Sequence, residues 1–204
     1  MTIRQITAIL GNMDQPKTIP PQTVDFKRTL ITGDGTRMDA LFYKQQPHKI
    51  WNDDIFIWID GKVQVDSPKF IEHCIASLGD GDLAIMKHKD RSCVYEEYDY
   101  IISELKKGNE YLSARYSVEK MEDEKARFKA VGYPEKNGLH DCCVIVVRNT
   151  LRIEKLLNTW NYDTGLGFFD QTTIHYCSWH FGIPIQPIIF PPGYMHLVKH
   201  LKVK

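Results

Sequence analysis

The sequence predicts an α/β fold: a mostly parallel central sheet with helices packed on both faces. Three observations carry that prediction. Apolar runs of strand length alternate along the chain with segments of helical periodicity. Two of the runs, Asp54–Ile59 (DIFIWI) and Cys142–Val147 (CCVIVV), are almost continuously apolar, the pattern of strands buried on both faces. The composition is that of an ordinary globular protein, 43% hydrophobic and 25% charged over 204 residues, which suits a single domain spanning residues 1–204.

The elements follow in order. Ile6–Leu10 (ITAIL) and Phe26–Thr32 (FKRTLIT) read as strands, separated by the Pro-bearing loop Gln15–Gln22. Arg37–Trp51 reads as a short helix broken at Pro47, whose ring cannot continue it. After the strand Asp54–Ile59, Ser67-Pro68 supplies a cap and first-turn pair for a helix to Leu78, with Phe70, Ile71, Cys74, Ile75 and Leu78 on one stripe. Leu83–Met86 is a strand. Val94–Lys107 and Asn109–Val131 are amphipathic helices, the second marked by Val118, Met121, Phe128 and Val131. Beyond the strand Cys142–Val147 come the helices Leu151–Trp160 and Phe169–Phe181, then a short strand, Ile185–Ile189.

Composition and motifs exclude several functions. Twenty-six Lys+Arg balance twenty-six Asp+Glu, so the chain lacks the basic footprint of a nucleic-acid binder or a polybasic membrane patch. No stretch approaches the roughly 18 apolar residues of a transmembrane helix, and the start, MTIRQITAILGNMD, reads as a first strand rather than a signal peptide. Five cysteines, an odd number at irregular spacing, read as reduced thiols, and the expected location is cytoplasmic without membrane insertion. Phosphate loops, dinucleotide fingerprints and hydrolase elbows are all missing from the sequence.

Open α/β sheets bind ligands beyond the carboxyl ends of their strands. That rule directs attention to Gly11, Asn12, Gly33, Asp34, Asp60, Lys87, His88 and Arg148. Asp60-Gly61-Lys62 closes the best buried strand: a carboxylate there can hold a hard divalent cation that bridges a diphosphate, with Lys62 adding a fixed charge. The bland alternative is an Asp that begins a turn. Asp80-Gly81-Asp82 has two carboxylates but lies at a strand's amino end, so it reads as turn chemistry. His175-x-Cys177-x-x-His180 lacks a second ligand pair and sits in a helix, which favours core and surface positions over zinc. Asp170-Gln171 opens a helix, where Asp is either an N-cap or a carboxylate at the mouth of a site. Glu96 and Glu97 read as a solvated face or as site carboxylates, and Lys44, Pro47 and His48 sit on the connection into the Asp60 strand.

The blocks Ala40-x-x-x-Lys44-x-x-Pro47-His48, Ile57-Trp58-Ile59-Asp60-Gly61-Lys62 and His88-x-x-Arg91-x-Cys93-Val94-Tyr95-Glu96-Glu97 resemble successive blocks of one glycosyltransferase family. The resemblance continues through Gly132-Tyr133-Pro134, Cys143-Val144-Ile145 with Arg148, and Asp170-Gln171, in order over nearly the whole chain. The family is the GT-A-type group once labelled a domain of unknown function, which includes plant glycosyltransferase-like proteins of the endomembrane system. The short form here also resembles the N-terminal glycosyltransferase domain of a chlorella-virus capsid-glycan protein.

The resemblance implies a GT-A, Rossmann-like fold, a UDP-sugar donor and a divalent metal, Mn2+ or Mg2+. It places Gly11, Asn12 and Asp34 at the nucleoside and makes Arg37 and Lys44 donor contacts. Asp60 takes the place of the Asp-x-Asp metal motif, with Lys62 where the second Asp would stand. A further metal ligand is then needed, and His196 is the candidate. The implied reaction moves a hexose or deoxyhexose, glucose- or rhamnose-like, to a hydroxyl of a glycan or glycoprotein acceptor. His88, Arg91 and Glu97 are candidates to position that hydroxyl, and Asp170 to manage its proton or stabilise the sugar. A sugar nucleotidyltransferase and a non-catalytic nucleotide-sugar-binding module are the alternatives.

Overall fold

The computed structural model describes residues 1–11 and 14–198. A six-stranded sheet is built from β1 (Ile3–Leu10), β2 (Lys27–Gly33), β3 (Ile55–Ile59), β5 (Leu83–Lys87), β6 (His140–Arg148) and β7 (Ile185–Ile188), in the spatial order β2-β1-β3-β6-β5-β7. A separate two-stranded sheet pairs β4 (Val63–Val65) with β8 (Met195–Leu197). The helices are α1 (Arg37–Gln45), α2 (Phe70–Leu78), α3 (Val94–Lys106), α4 (Glu110–Ser113), α5 (Val118–Ala130), α6 (Leu151–Gly165) and α7 (Asp170–Phe181), with a 3-10 turn at Pro47–Lys49. The predicted α/β architecture with a mostly parallel sheet is the observed one.

Period-two alternation decides which face each strand residue covers. On β3, Phe56 and Trp58 join Ile6, Ile145, Leu156, Trp160 and Ile174 in one core cluster. Ile55, Ile57 and Ile59 join Val144, Val146, Phe70, Ile71 and Cys74 in another on the opposite face. A third cluster, with Tyr98, Met121, Phe128 and Tyr133, holds α3 and α5 together. Among the described residues no helix is long and apolar enough to cross a membrane.

The structure corrects the sequence reading in three places. The predicted helix Asn109–Val131 is two helices, because Asn109 caps α4 through Leu112 N–H and Ser117, in extended backbone, caps α5 through Lys120 N–H. The predicted helix from Ser67 begins at Phe70, since Ser67 Oγ accepts from Lys69 N–H (3.1 Å) in a turn. The third correction moves the site: β6 runs antiparallel to both of its neighbours. The chain leaves β5 at Lys87, makes the excursion α3–α5 and re-enters beside its exit, with His140 paired to Lys87. It can only run back down the sheet. Arg148 therefore lies at the edge opposite the carboxyl ends, donating to Gly79 O (2.7 Å) and Gly81 O (3.2 Å), and Asp141 arrives at the carboxyl edge in its place.

Candidate functional site

A cleft of about 350 Å³ lies over the carboxyl edge of the central strands. Its floor is Ala8–Leu10, Asp60-Gly61-Lys62 and Asp141-Cys142-Cys143; α1 contributes Arg37 and Lys44, α3 contributes Glu97 and Tyr100, α4 contributes Tyr111 with Arg115 just beyond it, and the start of α7 contributes Asp170 and Gln171.

The floor follows from the strand ends. Asp60 N–H donates to Cys143 O (2.8 Å), which ties the end of β3 to β6. Trp58 and Asp60 share a face at i and i+2, and the Trp58 indole N–H donates to Asp60 Oδ1 at 2.6 Å, which orients the carboxylate. The space at Gly61 is tight: a Cβ would meet Ile9 Cγ1 at 3.0 Å and Asp14 Oδ2 at 3.1 Å, so both side chains would have to give way. Asp141 Oδ1 accepts from Cys143 N–H (3.0 Å) and from its thiol (2.6 Å). Burial pushes the Lys62 ammonium down, but Cys143, Asp141 and Asp60 outweigh it and hold it above the usual lysine range. Burial pushes both thiols well up, so neither Cys142 nor Cys143 is an activated nucleophile.

The inner wall is an ion-pair network. Thr36 and Asp39 form a reciprocal capping box that sets the start of α1 and so aims Arg37 across the cleft. Asp170 Oδ1 accepts from Arg37 (2.9 Å) and Oδ2 from Lys44 (3.2 Å). Lys44 is buried, with its ammonium 6.0 Å from the Trp58 ring centre and 5.8 Å from that of Trp160. Burial would raise the Asp170 carboxyl, yet Lys44 and then Arg37 hold it below the usual carboxylate range. Burial likewise opposes the Lys44 charge, and Asp170 and Asp60 restore it. Asp170 is the first residue of α7, and Phe169 holds the N-cap position. The N-cap reading fails; the carboxylate faces the two cations instead.

Glu97 is buried at the cleft wall, accepting from Arg91 Nε and from Gln171 Nε2 (3.2 Å). Behind it, His88 Nδ1 accepts the backbone N–H groups of Asp90 (3.2 Å) and Arg91 (3.0 Å). His88 Nε2 lies 3.2 Å from Arg91 Nη2 and 4.0 Å from Glu97 Oε2. Arg91 also stacks on Tyr100 at 3.9 Å.

Of the residues singled out from the sequence, Asp60, Lys62, Arg37, Lys44, Glu97 and Asp170 line this one cleft. His88 and Arg91 stand behind Glu97. Gly11, with φ +72°, donates its N–H to Gly33 O (3.0 Å) and joins the ends of β1 and β2, but neither it nor Asp34 lines the cleft. Asn12 lies outside the described residues. His196 is held on the small sheet by Asp66, at 2.7 Å, and is not part of the lining. His48 packs against α6 beside Glu154 and Asn158 instead of facing the cleft. His175 is stacked on His140 in the interior (Nε2 to Nδ1, 3.0 Å) and Cys177 is core, whereas His180 is exposed. Among the described residues no group of three metal-binding side chains occurs.

Sequence reasoning missed Trp58, Tyr100, Tyr111, Arg115 and Asp141. The i, i+2 spacing of Trp58 and Asp60 could have found the first. Asp141 had no signal, because its position depends on the direction of β6.

A doubly covered α/β sheet with a charged cleft over its carboxyl edge defines a Rossmann-like protein with a candidate ligand site at the strand ends. Residues 34–178 match the family described as TOD1/MUCI70, glycosyltransferase-like domain, and the chain belongs to that family. The match covers the cleft residues from Arg37 to Gln171. No individual curated protein matches the sequence.

Proposed function

We propose that this chain is a GT-A-type glycosyltransferase that moves a hexose or deoxyhexose, glucose- or rhamnose-like, from a UDP-sugar to a hydroxyl of a glycan or glycoprotein. The observation that carries this reading is the layout of charge in the cleft: carboxylates on the strand-end floor, with Lys62, Lys44 and Arg37 converging on the same space. A nucleoside diphosphate is the leaving group such a layout suits.

The floor also fits a divalent ion, Mn2+ or Mg2+. Asp60 and Asp141 both supply hard oxygen donors to the lining, and a diphosphate with water would complete the shell that protein ligands leave open. When bound, the ion would neutralise charge on the departing diphosphate. Lys62 adds a fixed cation at that floor, and Trp58 holds the Asp60 carboxylate in one orientation. Asp170, held ionised by its two cations, is a weak proton acceptor; its charge keeps Lys44 and Arg37 in place and opposes positive charge at the sugar. Glu97, fixed by Arg91 and Gln171, is the carboxylate assigned to the acceptor hydroxyl.

The experiment is donor turnover with UDP-glucose, with and without Mn2+. Release of UDP and sugar that depends on the ion supports the transferase. Pyrophosphate-dependent formation of UTP would instead identify a nucleotidyltransferase, and binding without turnover a non-catalytic module.

A further inference from the structure

Glu124 is a buried carboxylate that does not line the cleft. It sits on α5 with 1% of its surface exposed, in a helix whose other charged residues mostly face water. Both of its oxygens lie within hydrogen-bond reach of Phe169 N–H, at 3.2 and 3.1 Å. The Tyr98 hydroxyl, 3.2 Å from Glu124 Oε2, also reaches Thr172 Oγ1 at 2.8 Å. Two contacts thus converge on the first turn of α7, one on the residue before Asp170 and one on the residue after Gln171.

We propose that Glu124 is a positioning residue whose protonation governs how firmly the first turn of α7 presents Asp170 and Gln171 to the cleft. The proposal rests on the functional reading only in what the cleft binds; the latch itself is a property of the fold.

The groups around Glu124 define the electrostatics. Tyr98 faces it from α3, and burial pushes that hydroxyl well up. Of the four cations on its own helix, Lys120 and Arg127 act on it, and neither forms a short ion pair with it, while Lys125 pairs with Asp99 and Lys129 is exposed; Arg127 lies 3.6 Å from Asp163 of α6, itself pushed up by burial. At the start of α7 the Phe169 N–H reaches it directly and Thr172 reaches it through Tyr98. Burial dominates and pushes Glu124 up to about 7. Opening the turn returns the carboxylate to water, so the open form prefers the ionised side chain, and the latch weakens as pH rises.

The test is amide hydrogen exchange at Phe169 and its neighbours, corrected for intrinsic rate, from pH 5.5 to 8.5. Protection in the wild type should fall about tenfold between pH 6 and pH 8. Glu124→Gln, a permanently neutral side chain of the same shape, should keep protection high and flat; Asp163→Asn should retain the wild-type transition. The affinity for UDP-glucose, whose diphosphate does not titrate in this range, should weaken with pH in the wild type and not in Glu124→Gln. Flat protection in the wild type, or the same transition in the Gln variant, would overturn the proposal. Failure of the wild type to bind UDP-glucose at any pH would count against the glycosyltransferase reading while leaving the exchange result to decide the latch.

Discussion

Replacing Asp170 with Asn removes one negative charge and almost no volume. The cost falls on its two cations unequally. Arg37 keeps 38% of its side-chain surface exposed and can turn to water; Lys44, at 6%, cannot. Its other nearby carboxylate, Asp60, already accepts from Trp58. Stripping the partner from a buried ion costs about 3–5 kcal/mol. For a chain of this length that is a fall in melting temperature on the order of 10 °C. The double variant Asp170→Asn with Lys44→Met removes the unpaired charge and should recover most of the loss, a non-additivity that a double-mutant cycle reads directly. Thermal denaturation at pH 7 measures both. In the single variant the affinity for UDP should hold or rise, because two cations lose their internal counter-ion beside the diphosphate space. A loss below about 1 kcal/mol would refute the reasoning, since Lys44 would then have found another partner.

Asp60→Ala should abolish Mn2+-dependent donor binding in calorimetry while the fold survives, whereas Asp82→Ala, at the opposite edge of the sheet, should leave binding unchanged. Lys62→Met should weaken UDP-glucose binding by about tenfold or more, the loss expected for a charge-assisted contact to phosphate. Glu124→Gln should stabilise the protein at pH 8 by up to about 3 kcal/mol, the worth of a carboxyl raised from 4.5 to about 7. The sign follows from proton binding: between those two values the folded state holds a proton that the unfolded state has lost, so wild-type stability falls as pH rises through about 7. Denaturant titrations should show the two proteins converging toward pH 4.5, and a Gln variant no more stable at pH 8 would contradict this account.

Much of the fold was legible in the chain because its signals are local. The runs Asp54–Ile59 and Cys142–Val147 are apolar at every position that two covered faces require, and both are strands buried between helix layers. The place of Asp60 and Lys62 in the cleft lining was legible for the same reason: they follow a strand whose direction is the majority direction of the sheet. Asp170 was legible as a position but not as a role. A cap and a counter-ion look alike in sequence, and only the approach of Arg37 and Lys44, more than a hundred residues away, separates them.

The sequence by itself determined the alternation of strands and helices, the two-faced burial of the core strands and the strand-end carboxylate. Only the tertiary structure decided that β6 runs antiparallel, which exchanged Arg148 for Asp141 at the cleft, and that His196 stays with Asp66 on the small sheet. The physical reason is one of symmetry. Hydrophobic alternation along a strand reads the same in both directions, so it sets which face a side chain covers but not which edge of the sheet its strand points to. That edge is set by where the excursion through α3, α4 and α5 closes, and its closure depends on packing among residues far apart in the chain.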